Sequence, residues 1–187
     1  MQYVHIQIDL GVLRYALIMS DLEKYLKQAP NLQKVVVGYL LRDNEVLLGE
    51  RKKVSLGLGQ NIIAGIGGKV EGNETNEEAL EREFLEEINV QVESLKDMGQ
   101  VTFLFPHKEK WNQLGSVFVI NKWSGEPQET EVIRPQWFKK DKLPKKQMWE
   151  DNPIWIPEVL EGKKINGVFL YDSNTRIKEY ILEEINP

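Results

Sequence analysis

Apolar and polar positions divide the 187-residue chain into stretches of two periods. VHIQIDL, residues 4–10, alternates as a strand does, and LRYALIMSDLEKYLKQ, residues 13–28, carries Leu13, Ala16, Leu17, Leu22, Tyr25 and Leu26 at helical spacing until Pro30 stops it. From Lys34 the runs KVVVGYLL and EVLLGER flank Arg42, Asp43 and Asn44 and predict a hairpin. Gly57, Gly59, Gly65, Gly67, Gly68 and Gly72 then crowd one stretch, a density that suits backbone coming close to something. A helix is predicted from about Asn76 to Ile88, then strands around VTFLF and GSVFVINKW. Trp137, Trp149 and Trp155 fall in what reads as loops rich in proline and lysine; KINGVFLYD follows, and TRIKEYILEEI, residues 175–185, reads as a short closing helix. The pattern divides the chain into an extension, residues 1–34, and one domain, residues 35–187, with strands and helices mixed as in a sheet covered by helices.

The predicted helix carries the chemistry. Thr75 followed by Glu78 is a capping box, and Asn89 suits a left-handed stop. Leu80, Phe84 and Ile88 form an apolar stripe, while Glu83, Glu86 and Glu87 fall within an arc of about 100° beside it. Seven glutamates between positions 74 and 87 meet a single basic residue there, Arg82. Like charges one turn apart repel, and anions at a helix end oppose its dipole, so the face needs a cation. A solvated acidic face is the plain alternative, but such faces normally alternate in sign. Converging carboxylates next to a glycine loop suit Mg²⁺ or Mn²⁺ shared with substrate phosphates. Their spacing does not fit the alternating ligands of a calcium loop.

Composition narrows the rest. Cysteine is absent and histidine occurs twice, at His5 and His107, so a metal must be held mostly by oxygen and thiol chemistry is excluded. The net charge of −5 has the wrong sign for broad neutralisation of a nucleic-acid polymer. With no apolar run near the ~18 residues of a membrane span, and no leader pattern at the N-terminus, a cytoplasmic protein is expected. GIGGKV is not a phosphate-binding P-loop, because Val70 follows Lys69 where Ser or Thr belongs.

Gly68, Glu74, Arg82, Glu83, Phe84, Glu86, Glu87 and Val90 match G-x5-E-x7-R-E-U-x-E-E-x-G-U, the Nudix box with U apolar, save that Asn89 replaces the last glycine. The chain therefore resembles the Nudix hydrolases. From about Lys34 to Glu184 it is similar to the MutT-type, particularly animal-type, diphosphatases of oxidised purine nucleotides, through GIGGKVE, ETEVIRPQWF and MWEDNPIWIP. The resemblance implies an α/β fold, an α/β/α sandwich with a central mixed β-sheet and a loop-helix-loop catalytic motif. It also implies cleavage of triphosphates such as 8-oxo-dGTP to the monophosphate and pyrophosphate. Glu83, Glu86, Glu87 and the Gly67 carbonyl would bind the metal, Arg82 would orient a glutamate, and Glu74 would steady the loop.

The same resemblance makes Trp149 the stacking plane for the base and Asp151 and Asn152 the readers of its edge. The position of a further purine reader is Ala64 here, and that of a glutamate near the metals is Val132, which leaves Glu129 or Glu131 to supply a carboxylate. Asn152, where the family has an acid, can both donate and accept. On residues alone Trp149 reads equally as core, Phe103 and Phe105 as core with Phe103 the candidate for a pocket wall, and Arg51 and Lys69 as solvated or phosphate-binding. Alternative functions are cleavage of ADP-ribose or a dinucleotide, and a non-catalytic domain that senses a nucleotide. The expected partner is a small nucleotide, with neither nucleic-acid polymer nor membrane; residues 1–34 either cover a domain edge or join two copies as a homodimer.

Overall fold

The computed structural model describes residues 20–28, 31–52 and 62–185. The strand expected at residues 4–10 and the start of the N-terminal helix lie outside them. In chain order the elements are α1 (Asp21–Gln28), β1 (Gln33–Arg42), β2 (Glu45–Arg51), β3 (Ile62–Ala64), α2 (Asn76–Ile88), β4 (Gln91–Leu104), β5 (Gln113–Ser124), β6 (Ile133–Lys139), α3 (Asn152–Leu160), β7 (Ile165–Tyr171) and β8 (Ile177–Glu184). The strands form one sheet in the order β3-β2-β1-β5-β4-β7-β8, with β6 on the other side of β2. It is mixed: β1 runs parallel to β5 and β4 to β7, whereas β1–β2, β4–β5 and β7–β8 are antiparallel.

Why β1 and β5 read as unbroken apolar runs is clear from their two faces. Val36 and Leu40 of β1, with Phe118 and Ile120 of β5, pack under Leu80, Phe84 and Ile88 of α2. Tyr39 of β1, with Val117 and Val119 of β5, packs under Trp155, Ile156 and Val159 of α3. A strand buried on both sides has no polar face to alternate with. One helix per face gives the α/β/α sandwich that the resemblance implied. The hairpin turns through Asp43 and Asn44, with Asp43 at φ 49°.

Four expectations need correction. TRIKEYILEEI is not a helix: Ile177–Glu184 is β8, paired along β7, because the turn at Asp172–Arg176 folds the chain back and a strand there covers β7's edge. Asp172 Oδ1 secures that turn by accepting from the Asn174 and Arg176 amides. Trp137 lies not in a loop but on β6, where the sheet edge tolerates Pro135. Trp155 is buried inside α3, whose first turn takes Pro153 without losing a bond. The strand around VTFLF begins ten residues earlier, at Gln91; bulges between Val92 and Gln100 hide its alternation.

Helix α1 belongs to the same body. Leu22 is buried with Leu104 and Leu170, Tyr25 and Ile181 pack beside them, Lys178 pairs with Asp21, and the Leu22 amide donates to Glu179. Leu22 and Tyr25 are thus covered from within the chain, while Leu26 is exposed. Among the described residues no helix is long and apolar enough to cross a membrane.

Candidate active site

Helix α2 is built as the local sequence dictates. The Thr75 hydroxyl accepts from the Glu78 amide at 3.1 Å and the Glu78 carboxylate from the Thr75 amide at 2.7 Å. Asn89 ends the helix at φ 56°, ψ 40°, in the left-handed region where asparagine is the side chain best tolerated after glycine. Packing of Leu80, Phe84 and Ile88 against the sheet then fixes which way the acidic face points.

The loop entering α2 lies against β1. Gly38 and Ile66 exchange two backbone bonds, and the Val36 amide donates to Gly68 O at 2.8 Å. Two glycines there let the loop lie close, and the backbone at Gly67 admits no side chain. Gly67 sits at φ 154° with Val36 O where a β-carbon would go, and a β-carbon at Gly68 would collide with the Glu83 carboxylate. The glutamate therefore rests directly on the loop backbone.

Two arginines bind these carboxylates. Arg82 donates to Glu74 from Nε at 3.1 Å and from Nη2 at 2.8 Å, to Glu83 at 2.9 Å, to Glu86 at 3.4 Å and to Lys69 O at 2.9 Å. These bonds hold the guanidinium charged well beyond its ordinary range and pull the Glu74 carboxyl down. Glu74 also accepts from the Glu71 amide at 2.6 Å, which closes the turn before the helix. Arg51 donates to Glu87 at 3.1 Å and to Gly67 O at 2.8 Å, while the Gly67 amide meets Glu87 at 3.4 Å. Burial raises the Glu87 carboxyl against the pull of Arg51.

A guanidinium thus already sits between two of the expected metal donors, the Gly67 carbonyl and Glu87. This all-oxygen, anionic set suits a hard divalent cation. Glu83 and Glu87 are largely covered, with 13% and 11% of their side chains exposed, while Glu86 is open at 62%. With Arg82 holding Glu83 and Glu86, and Arg51 holding Glu87, no three acidic groups among the described residues stand together as a ready cage.

Beside the loop, over the α3 face of the sheet, opens a cavity of about 600 Å³, within the range of small-molecule sites. Every residue expected to meet substrate lines it: Gly67, Gly68, Lys69 and Arg51 towards the acidic helix, and Ala64, Phe103, Trp149, Asp151 and Asn152 further in. Val132, Glu129 and Glu131 do not. Val132 is exposed, and Glu129 faces Lys52 at 2.7 Å and Arg134 at 3.3 Å, which lower its carboxyl. Neither glutamate lines the cavity.

The pattern left out Tyr171, Trp155, Tyr39 and Phe105. Asp151, 2% exposed, accepts from Tyr171 Oη at 2.6 Å, Trp155 Nε1 at 2.7 Å and Asn152 Nδ2 at 2.8 Å. Burial raises its carboxyl, and these three donors work in the opposite direction. Phe105 stacks on Tyr171 at 4.4 Å, Trp149 meets Tyr171 edge-on at 6.5 Å, and Tyr39 meets Trp155 edge-on at 6.1 Å. The spacing of Asp151 and Trp155, one helical turn, was the signal available in the sequence for one of these contacts; Tyr171 offered none.

Comparison with known proteins agrees with this geometry. The chain is 36% identical over 146 residues to the oxidized purine nucleoside triphosphate hydrolase of Danio rerio, covering 78% of this chain and 91% of that one. With the protein of the same description from Mus musculus it shares 35% over 147 residues, 79% and 92% of the two chains. The mutator MutT protein of Bacillus halodurans has the same fold, with a TM-score of 0.66 at 24% identity over 81% of this chain and 98% of that one. A model of the NUDIX domain matches residues 32–159, and with its box, its sandwich and its glycine loop in place the chain belongs to the NUDIX family.

Proposed function

We propose that the protein hydrolyses purine nucleoside triphosphates, oxidised forms such as 8-oxo-dGTP among them, to the monophosphate and pyrophosphate, and so clears damaged precursors from the cytoplasmic nucleotide pool. The observation that carries this reading is the junction of an aromatic-walled cavity with the Gly67–Gly68 backbone and, beyond it, the carboxylates of α2. A base fits the first and phosphates the second. The relatives described as oxidized purine nucleoside triphosphate hydrolases support the same substrate class.

Glu83, Glu86, Glu87 and the Gly67 carbonyl would hold Mg²⁺ or Mn²⁺. When bound, such a cation supplies neutralisation of phosphate charge and makes water more acidic. The chain's own groups do the rest. Arg51, which donates to Gly67 O and Glu87 and lines the cavity, would offer its guanidinium to a phosphate oxygen, with Lys69 at the same rim. Arg82 keeps Glu83 oriented through its fork on Glu74. Trp149 stacks on the base and fixes the nucleotide relative to the acidic helix.

A panel of 8-oxo-dGTP, 2-oxo-dATP, dGTP and dATP with Mg²⁺, read as pyrophosphate released, tests the reading. Turnover of the purine triphosphates is expected. Negligible turnover of all four beside fast cleavage of ADP-ribose or a dinucleotide overturns the substrate class, and binding of nucleotide with no cleavage of any overturns the activity.

A further inference from the structure

One wall of the cavity is tied to a helix that lies outside the stretch matched to the family. Phe105, Lys110, Trp111 and Gln113 line the cavity from the connection between β4 and β5. Phe105 lies one residue beyond β4, and its amide donates to a side chain, Asn112 Oδ1, at 2.7 Å. Asn112 is 1% exposed, and its Nδ2 donates to Tyr25 Oη at 3.1 Å, 87 residues away on α1. A bridge thus runs from α1, through one buried amide, to the ring that stacks on Tyr171 at 4.4 Å and meets Trp111 edge-on at 5.7 Å. Within the connection, the Lys108, Trp111 and Asn112 amides donate to Phe105 O, Lys108 O and Glu109 O. Those bonds shape the loop without fixing where it lies. Asn112 ties it to the body, since its carbonyl accepts from the Gln33 amide of β1 at 2.9 Å and its side chain reaches α1. Helix α1, Asp21–Gln28, precedes residues 32–159 of the family match, so the extension supplies this support. A buried amide hydrogen that loses its acceptor is costly, and an unheld Asn112 turns towards water and lets go of Phe105.

We propose that Tyr25 is a positioning residue for the substrate: from α1 it holds Asn112, and through Asn112 the Phe105 and Trp111 wall, in the arrangement that receives the nucleotide. The proposal rests on the nucleotide reading of the cavity. A wall in place for only part of the time lowers apparent affinity by that fraction and leaves the chemical step alone. Tyr25→Phe removes the hydroxyl and keeps the ring that packs beside Leu22. Affinities of dAMP and dGMP are measured by isothermal titration calorimetry without divalent cation, beside hydrogen exchange of the amides of residues 105–112. The tighter of the two ligands is expected to bind about three- to tenfold more weakly to Tyr25→Phe, with faster exchange in residues 105–112. With triphosphate and Mg²⁺, KM rises by the same factor while kcat stays within about twofold. In Asn112→Ala the bridge is already gone, so adding Tyr25→Phe changes affinity no further. Leu26→Ala, at an exposed position of the same helix, binds as the wild type does.

Unchanged affinity in Tyr25→Phe, an equal loss in Leu26→Ala, or a further loss when Tyr25→Phe is added to Asn112→Ala overturns the proposal, as does a wild type that binds neither monophosphate. Lower stability in Tyr25→Phe with affinity and exchange unmoved overturns it too, leaving Tyr25 a support of α1 alone. Should Asn112→Ala fail to fold, Tyr25→Phe and Leu26→Ala decide between them. Weaker binding in Tyr25→Phe together with failure to cleave the triphosphates would uphold the positioning role and sink only the reaction proposed above.

Discussion

Glu87 is nearly covered, rests against the Gly67 amide and faces Arg51, whereas Glu86, one position earlier, stands largely in water. The two share a helix face but not an environment. Glu86→Gln and Glu87→Gln are each expected to lower turnover by about 100-fold or more with helix content unchanged, because each removes a charged oxygen donor from the cation site. Titration with Mn²⁺, followed by its paramagnetic effect on water protons, should show weaker binding in both. Near wild-type turnover in both would reduce the acidic face to ordinary surface. Trp149 is half-buried and supplies a plane to the cavity. Loss of base stacking costs about 1–3 kcal/mol, so Trp149→Ala should raise KM roughly 5- to 150-fold with little change in kcat. A fall confined to kcat would place Trp149 among the groups that act on the phosphates.

At the scale of elements, α2 is specified by its own residues at both ends and by the sheet only in its direction. The family's glycine is replaced by Asn89, yet the backbone there is left-handed all the same, with the Asn89 amide donating to Leu85 O and the Val90 amide to Phe84 O. Asn89→Ala should therefore cost about 1 kcal/mol in urea denaturation and Asn89→Gly almost nothing; equal losses in the two would mean that the asparagine side chain matters for another reason. Helix α1 shows the opposite dependence. Its eight residues are too few to be stable alone, and what holds them is distant in sequence: Glu179, Lys178 and the Leu104–Leu170 cluster. Tyr25 Oη also accepts from Asn112 Nδ2 at 3.1 Å, and Asn112 Oδ1 accepts from the Phe105 amide at 2.7 Å beside the cavity. Leu22→Ala should detach α1 before the domain unfolds, seen as proteolysis within residues 20–28 at denaturant concentrations that leave the rest intact. Cleavage there only after global unfolding would contradict this.

For the molecule as a whole, two carboxyls are kept inside at a cost. Burial raises both Glu87 and Asp151. A group whose folded pKa lies above its unfolded value, 4.5 for Glu87, adds stability that is complete below the unfolded value and is lost as pH rises through the folded one. Without divalent cation, Glu87→Gln should thus gain on the wild type as pH climbs from about 4 to 7, measured by urea denaturation across that range; a difference constant with pH would deny the shift. How much of all this was legible beforehand follows from distance along the chain. The capping box, the left-handed Asn89, the acidic arc beside Leu80, Phe84 and Ile88, and the hairpin at Asp43 could be read directly, since each rests on groups within a few turns of one another. Through the box those residues also marked the family and the groups proposed to hold a cation. Residues 175–185 looked helical because Tyr180 and Leu182 pack towards one core cluster and Ile181 towards another, leaving no alternation; β7 decided their form. Phe103, Trp149 and Asn152 could be named in advance, but not that Tyr171, 20 residues on, would claim Asp151. That Tyr25 meets Asn112 was likewise settled only in three dimensions, because a hydrogen bond between side chains depends on where the sheet and its helices carry them, and nothing local encodes that.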